Sequence, residues 1–380
     1  MAATDSYAGG DGRLSPLSTP SATRAVLEAH GIGTKYTLGQ NFLVNDDVLK
    51  KIIALAEVGE NDRVLEVGPG IGTLTIALLK HAASVIAIER DPDLPAVLAD
   101  TLHPWREKFA LIEKDALDVT RDDIVAAMVE IGGDTGYPDR ASSAANETAQ
   151  WAVSQSEDCL SESGYPVAPP QEDLQLSLPS KLVANLPYAV AATVVLDYFE
   201  SFPFLDSATI MVQKEVADRM AAAVGTKNYG AYTVKLGLYV EPAGRFAVGP
   251  GNFFPPPRVD SAVIRLNRRV PLMADGAPAS PEVIAAAALM ADAAFTNRRK
   301  TIANSCKTYF SGRGPILLGV ADSSAAEGAP TIALPDGAAT AERLPAIFEA
   351  AAIDPRRRGE TLTQQEFLAL GAALLRVTAA

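Results

Sequence analysis

Arg63-Val64-Leu65-Glu66-Val67-Gly68-Pro69-Gly70-Ile71-Gly72-Thr73 is the stretch that decides the fold. The apolar run Arg63 to Val67 reads as a buried strand, three glycines follow at alternate positions, and Thr73 to Lys80 reads as a helix. Strand, glycine turn, helix is the entry to a nucleotide-binding α/β unit, because glycines let the backbone approach a ligand more closely than a side chain would allow. The spacing is Gly-x-Gly-x-Gly, not the Gly-x-Gly-x-x-Gly of dinucleotide sites. Glu66, two residues before the first glycine, does not suit a bound pyrophosphate. It suits a cationic or hydroxyl-rich ligand, so Glu66, Gly68 and Gly70 are candidate binding positions. An ordinary tight β-α turn would use the same glycines, and the sequence on either side has to decide between the two.

Downstream, Ser84 to Ile88 reads as a second buried strand ending in Glu89. An acid at that strand tip, about 20 residues after a glycine turn, is where α/β nucleotide sites hold ribose hydroxyls. Phe109 to Ile112 is a third strand, and Asp115 just beyond it either accepts from an adenine amino group or caps the next helix, which continues through Ile124 to Val129. Upstream, Asn45 can cap a helix whose apolar positions Val48, Leu49, Ile52, Ile53 and Ala56 recur at helical spacing. Before it, Lys35 to Leu43 has no periodicity; it reads equally as a lid over the ligand, with Asn41 and Leu43 at its end, or as a loop packing Phe42 and Leu43 into the core.

Lys181 to Ala184 is a fourth strand that opens into Asn185-Leu186-Pro187-Tyr188. Chemistry on an exocyclic amine needs acceptors for its two N–H groups and a flat surface for the ring. The Asn185 side-chain oxygen and the Leu186 carbonyl can be the acceptors, Pro187 stiffens the turn, and Tyr188 can stack on a base. A turn with a buried tyrosine is the plain alternative. Val190 to Phe199 then reads as a helix, Ala208 to Val212 as a strand, Gln213 to Met220 as the start of a helix, and Val234 to Val240 as either. The stiff loop Asn252 to Ser261 feeds an alternating strand, Ala262 to Leu266, and its Phe253 either closes the other face of a base pocket or is a core residue.

Residues 1–34 read as a mostly flexible tail with a short helix from Ser21 to His30, and 35–270 as the first domain. Within it, positions 131–180 hold eight acids and one base, a net of −7, and read as a disordered acidic insertion. From Ser280-Pro281 onward the pattern is helical over 281–295, 298–309, 342–352 and 363–376, so 271–380 reads as an all-helical domain with a flexible insertion at 312–341. Basic clusters at Arg265, Arg268 and Arg269, at Arg298, Arg299 and Lys300, and at Arg356, Arg357 and Arg358 suggest phosphate contacts. The chain's net charge of −13 argues against a nucleic-acid partner only until it is divided: positions 181–310 carry fourteen bases against ten acids. The 380 residues contain no apolar run near the length of a membrane span and no leader pattern, so a cytoplasmic protein is expected. Two distant cysteines, Cys159 and Cys306, and three histidines make neither a disulfide framework nor a metal site.

Taken together these stretches resemble the small-subunit (16S) ribosomal RNA adenine dimethyltransferases, within the ribosomal RNA adenine N6-methyltransferases. The matching stretches are Leu38–Asn45, Val64–Leu74, Ala87–Asp91, Glu113–Ala116, Val183–Tyr188, Val212–Arg219 and Phe253–Leu266, extended by Thr296–Ile302 and Ile353–Arg358. The resemblance implies a class I S-adenosylmethionine-dependent methyltransferase sheet, Rossmann-like α/β, with a smaller C-terminal helical domain that contacts RNA. It implies transfer of methyl groups from S-adenosylmethionine to N6 of two adjacent adenosines near the 3′ end of small-subunit rRNA, a step of rRNA processing in ribosome biogenesis. By position, Asn41, Leu43, Gly68, Glu89, Asp115 and Asn185 would line the cofactor site. Asn185, Leu186 and Tyr188 would hold the target adenine with Phe253 stacked opposite. Arg265, Arg298, Arg299, Lys300, Arg356, Arg357 and Arg358 would contact RNA. The implied partner is rRNA within a pre-30S particle, met by a monomer without metal or membrane. Alternatives from other classes are a 23S rRNA adenine methyltransferase of the antibiotic-resistance type, a non-catalytic ribosome-assembly factor, and a small-molecule N-methyltransferase. The acidic insertion at 131–180 and the one at 312–341 depart from the family pattern.

Overall fold

The computed structural model describes residues 12–33, 40–132, 178–319 and 331–379. Arg63–Val67 (β2), Ser84–Ile88 (β3), Phe109–Ile112 (β4), Lys181–Asn185 (β5) and Ser207–Gln213 (β6) form the parallel part of one sheet. Ser261–Arg268 (β9) adds antiparallel to β6, and Val240–Val248 (β7) antiparallel to β9, giving the order β4-β3-β2-β5-β6-β9-β7. The strand side chains alternate between two apolar layers. Leu65, Val67, Ile86 and Ile88 join one cluster with helices Arg121–Gly132 (α5) and Ala191–Ser201 (α6). Val64 and Val85 join the other with Asp46–Ala56 (α2), Thr73–Leu79 (α3) and Leu94–Thr101 (α4). Strands buried on both faces need apolar residues at nearly every position, which is why these runs read as continuous rather than alternating.

Helix α2 starts where its capping residue predicts: Asn45 Oδ1 accepts from the Asp47 and Val48 amides at 2.9 and 3.3 Å, and Val48, Leu49, Ile52, Ile53 and Ala56 are all buried. Ahead of it, Phe42–Leu43 (β1) pairs antiparallel with Phe253–Phe254 (β8) in a separate two-stranded ribbon. The segment Val234 to Val240 resolves into the end of one element and the start of another: helix Ala231–Gly237 (α8) turns into β7. Lys214–Met220 (α7) precedes it.

The C-terminal module contains Pro281–Phe295 (α9), Ile302–Ser311 (α10), Gly337–Ala350 (α11) and Gln364–Ala379 (α12). Its apolar cluster also takes in Tyr229 and Val234, and the Tyr229 hydroxyl donates to the Leu362 carbonyl at 2.8 Å. The module's core thus also draws on residues before 270, while β7 and β9, which follow them, stay in the sheet.

Two segments differ from the sequence reading. The region expected to be a flexible tail contributes to the fold from residue 12 onward: Pro20–Ala29 (α1) is capped by Thr19, and Leu17, Val26 and Leu27 are buried against α2 and β1 residues. Asp46 holds this segment, accepting from the Leu14 and Ser15 amides at 2.8 and 3.3 Å. Small polar residues suggested disorder, but a few apolar side chains and one buried acceptor suffice to dock it. The insertion expected at 312–341 includes two paired strands, Ile316–Gly319 (β10) and Thr331–Leu334 (β11), whose Ile316, Leu318 and Leu334 enter the module's core. Asp336 then caps α11 by accepting from the Ala339 amide at 2.8 Å, several residues before the helical pattern is legible. The acidic insertion expected at 131–180 lies outside the described residues except at its two ends.

Candidate active site

At the carboxyl ends of the parallel strands, the glycine turn, the two strand-tip acids and the Asn185 turn surround one cavity of about 500 Å³. This is where open parallel sheets place ligands. All three turn glycines have left-handed backbones, with φ of 72° at Gly68, 60° at Gly70 and 89° at Gly72. Gly70 shows why nothing larger fits: a Cβ there would stand 3.1 Å from the Phe42 ring.

Glu66 is 1 % exposed and lines the cavity, and its Oε2 has no hydrogen-bond partner among the described residues. Burial pushes its carboxyl up to about 8; Thr75, close beside it, lowers the value and Glu89 raises it. The Thr73 and Thr75 hydroxyls are also buried without partners meeting hydrogen-bond geometry, so Thr75 is near the carboxyl but not aligned on it. Of these groups Glu66 Oε2 and the Thr73 hydroxyl belong to residues on the cavity wall, where they are left free to bond a ligand.

Glu89 Oε1 accepts from the Arg90 and Asp91 amides, each at 2.9 Å. These bonds fix the carboxylate at the strand tip, and burial holds its pKa above the usual range against them. Asp115 takes the capping role and also lines the cavity. Its Oδ1 accepts from the Leu117 amide at 3.1 Å, capping a short turn, and its Oδ2 pairs with Arg90 at 2.7 Å while the residue lines the cavity. The turn amide, with Arg90 beside it, keeps the acid ionised.

On the opposite wall the Asn185 Nδ2 donates to the Asn41 carbonyl at 3.1 Å, leaving Oδ1 as the acceptor of that amide. Gln40, next in line, donates to the 2 % exposed Asp91 at 2.7 Å. The described end of the stretch before β1 thus ties the two walls together; its earlier residues 34–39 lie outside the described residues. The Leu186 amide donates to the Met211 carbonyl at 3.0 Å, anchoring the turn to β6. Tyr188, half-buried on the rim, shares a 2.6 Å hydrogen bond with Ser261.

The structure brings Asn41, Leu43, Glu66, Gly68, Gly70, Glu89, Asp115, Asn185, Leu186 and Tyr188 to this one cavity. Phe253 takes the core alternative: it is 4 % exposed and packs in the apolar layer opposite Leu43 instead of on the cavity wall. Arg90, Lys114 and Gln213 also line the cavity and were not singled out from sequence; Arg90 follows Glu89 directly, and that adjacency was the available signal.

The basic residues are not equivalent. Arg265, expected on an RNA-facing surface, is turned inward: its side chain is 12 % exposed, pairs with Glu57 at 2.7 Å and donates to the Leu55 carbonyl. Arg268 is fastened to the Phe199 and Phe202 carbonyls at 3.1 and 2.8 Å, and Arg269 to Gln364 at 3.1 Å. Arg298 pairs with Glu360 at 2.8 Å, Arg357 with Glu366, and Arg356 with Asp354 at 3.0 Å. Arg358 lies 4.0 Å from Glu360, whereas Arg299 and Lys300 are exposed. Among the described residues no group of three acidic, histidine or cysteine side chains could hold a metal ion, and no helix is long and apolar enough to cross a membrane.

Residues 33–329 match the model of the family described as ribosomal RNA adenine dimethylase. The chain is 32 % identical over 361 residues to the ribosomal RNA small subunit methyltransferase A of a Geobacillus species, covering 95 % of this chain and 98 % of that protein. It is 33 % identical over 362 residues to its counterpart from Enterococcus faecalis, covering 94 % and 96 %. Among solved structures, a dimethyladenosine transferase from Plasmodium falciparum has a TM-score of 0.53 at 20 % identity, covering 87 % of this chain and 95 % of that one. The 23S rRNA methyltransferase ErmE has a TM-score of 0.51 at 20 % identity, covering 88 % and 99 %. These two likenesses speak to the α/β class I methyltransferase fold, which the mixed sheet shares. Over most of its length this chain belongs to the ribosomal RNA adenine dimethylase family.

Proposed function

We propose that the protein dimethylates N6 of two adjacent adenosines near the 3′ end of small-subunit rRNA, using S-adenosylmethionine, within a pre-30S particle in the cytoplasm and as a monomer. As a member of its family the chain is an rRNA adenine methyltransferase; the small-subunit assignment is supported by the names of its relatives, and the chemistry on N6 by Asn185. Its amide is held by the Asn41 carbonyl so that Oδ1 is the acceptor left for a donor in the cavity.

The residues fit the cofactor: an unpartnered buried carboxyl, a glycine turn without Cβ atoms and two strand-tip acids offer acceptors for its ammonium, ribose and adenine groups. In this reading Glu66, Gly68 and Gly70 line the methionine end, Glu89 holds the ribose hydroxyls, Asp115 the adenine amine, and Asn41 and Leu43 close the front. When bound, the cofactor supplies an electrophilic methyl group on a sulfonium.

The chain's own contribution is to orient the nucleophile. An adenine N6 lone pair is delocalised into the ring. Acceptance of its two N–H groups by Asn185 Oδ1 and the Leu186 carbonyl favours a pyramidal nitrogen whose pair points away from the ring. Tyr188, steadied by Ser261, offers a flat surface to the base. No acid or histidine lies in Asn185–Tyr188, so catalysis rests on orientation and fixed dipoles, and the proton leaves to water.

The test is transfer from labelled S-adenosylmethionine to undermethylated small subunits, with products identified as nucleosides by mass. N6,N6-dimethyladenosine from the wild type and almost none from Asn185→Ala is the expected result. Label found only in large-subunit RNA would replace this reading with the resistance-type one. RNA binding without transfer would replace it with an assembly factor.

A further inference from the structure

We propose that Gln213 reads the ring edge of the target adenine, donating from its carboxamide to a ring nitrogen beside the reacting amine. The proposal rests on the N6 reading of the cavity and deepens it by naming a specificity-determining residue for the base.

Gln213 is the last residue of β6, lines the cavity and is partly buried. Its carboxamide has no hydrogen-bond partner among the described residues. The helix that follows does not use it: Gln213 makes no side-chain cap for α7, and the Lys214 amide donates instead to the Asp260 carbonyl at 2.9 Å. The Lys214 ammonium is engaged by Asp218 at 3.0 Å. Strand side chains alternate between faces, so the face that Gln213 shares can be followed. Val183, Met211 and Val263 all enter one apolar layer. Asn185, Gln213 and Ser261 each lie two residues from one of these, toward the cavity edge of the sheet, and therefore stand on that same face. Asn185 is level with Met211, and Gln213 with Ser261. Strand spacing and rise then put the Gln213 backbone about 8 Å from that of Asn185.

A base fits between these points. The Tyr188 hydroxyl is tied to Ser261 at 2.6 Å, so its ring reaches from the Asn185 turn toward the strand pair that carries Gln213. An adenine lying on that ring with N6 at Asn185 and Leu186 turns an adjoining edge to Gln213. The ring nitrogens on either side of the amine, N1 and N7, are both acceptors, so a carboxamide N–H can bond either. Guanine has O6 in place of the amine and an N–H at N1, and two acceptors beside a donor do not match it. The same bond matters for repeated transfer. The first methylation removes one N–H and leaves one of the two acceptors with nothing to hold. The ring nitrogens are untouched, so Gln213 supplies the contact that keeps the monomethylated base seated for the second transfer.

The experiment assays full-length Gln213→Met and Gln213→Glu, neither of which donates at neutral pH, on undermethylated small subunits, with mono- and dimethyladenosine separated by mass. Subunits assembled on rRNA carrying 1-deazaadenosine or 7-deazaadenosine at the target positions supply bases that lack one acceptor. For both variants kcat/KM should fall about tenfold, as for loss of one hydrogen bond, and the monomethylated share of the product should rise. Their melting temperatures should match the wild type, since no bond within the chain is lost. One of the two deaza bases should slow the wild type by about the same factor and Gln213→Met hardly at all, and which one it is tells N1 from N7. Wild-type transfer unaffected by either deaza base, or losses that add between base and variant, overturns the assignment and leaves the N6 reading in place. A wild type that methylates no unmodified subunit overturns both.

Discussion

The cavity and the C-terminal module treat polar groups in opposite ways. At the cavity, Glu66 Oε2 and the hydroxyl of Thr73 are buried and unmatched among the described residues. In the module, several charges that look available in sequence are matched within the chain, as Arg357 is by Glu366 and Arg298 by Glu360, while Arg299 and Lys300 stay exposed. A buried polar group without a partner costs stability, so its persistence points to a ligand; an arginine facing a carboxylate has already been satisfied by folding.

The sharpest way to break this contrast is Asn185→Ala. If the cavity is tuned for a ligand, the rate of methyl transfer in single turnover falls by ~10²–10³-fold, as for loss of one oriented hydrogen-bonding group. The melting temperature should move little, because the mutation removes one hydrogen bond on the rim. Glu66→Gln comes next. The folded-state value of Glu66, about 8, lies above that of the unfolded chain, so its contribution to stability is full below the unfolded value and is lost as pH rises toward 8. The wild type should lose thermal stability between pH 5 and 8 more steeply than the glutamine variant. At pH 7, a cationic ligand should also expel about one proton from the wild type and none from the variant, which calorimetry in two buffers of different ionisation enthalpy would read.

Gly70→Ala should cost ~1–2 kcal/mol from its left-handed backbone, with crowding against Phe42 added, and weaken cofactor binding in the same titration. The smaller effects test the module. Arg357→Ala should lower the melting temperature by ~2–4 °C while leaving the salt dependence of RNA binding nearly unchanged. Arg356→Ala, whose side chain is 87 % exposed, should change neither. A flattened salt slope in Arg357→Ala would erase the distinction between the two regions.

How much of this was legible in sequence depends on how far apart the cooperating residues are. Local signals read well: the β2 strand, its glycines, the Asn45 cap and the apolar face of α2 follow from neighbours within one or two turns. Glu66, Glu89, Asp115 and Asn185 could be proposed together because each closes a strand, and parallel strand ends converge. The pairings of Arg265 with Glu57 and Arg357 with Glu366 were invisible, since a basic triplet looks the same before and after it finds an acid. Strands β10 and β11 were hidden by Gly, Ala and Asp around only a few apolar positions, whose value depends on a core contributed by other helices. Phe253 could not be placed, because only the β1–β8 ribbon decides that it faces the core.

That ribbon also sets a timetable. Phe42 meets Phe254 and Leu43 meets Phe253 across more than two hundred positions, and the Asn45 amide reaches the Asn252 side chain at 2.8 Å. Among the described residues β7 pairs only with β9, which comes after it in the chain, so that pairing waits until β9 arrives. As the polypeptide leaves the ribosome, the front wall of the cavity cannot lock until residues near 254 have emerged, and the sheet cannot close until β9 has followed. Pairing at such sequence separation is slow to form. A newborn chain therefore passes through most of its synthesis before the front wall of its pocket can pair.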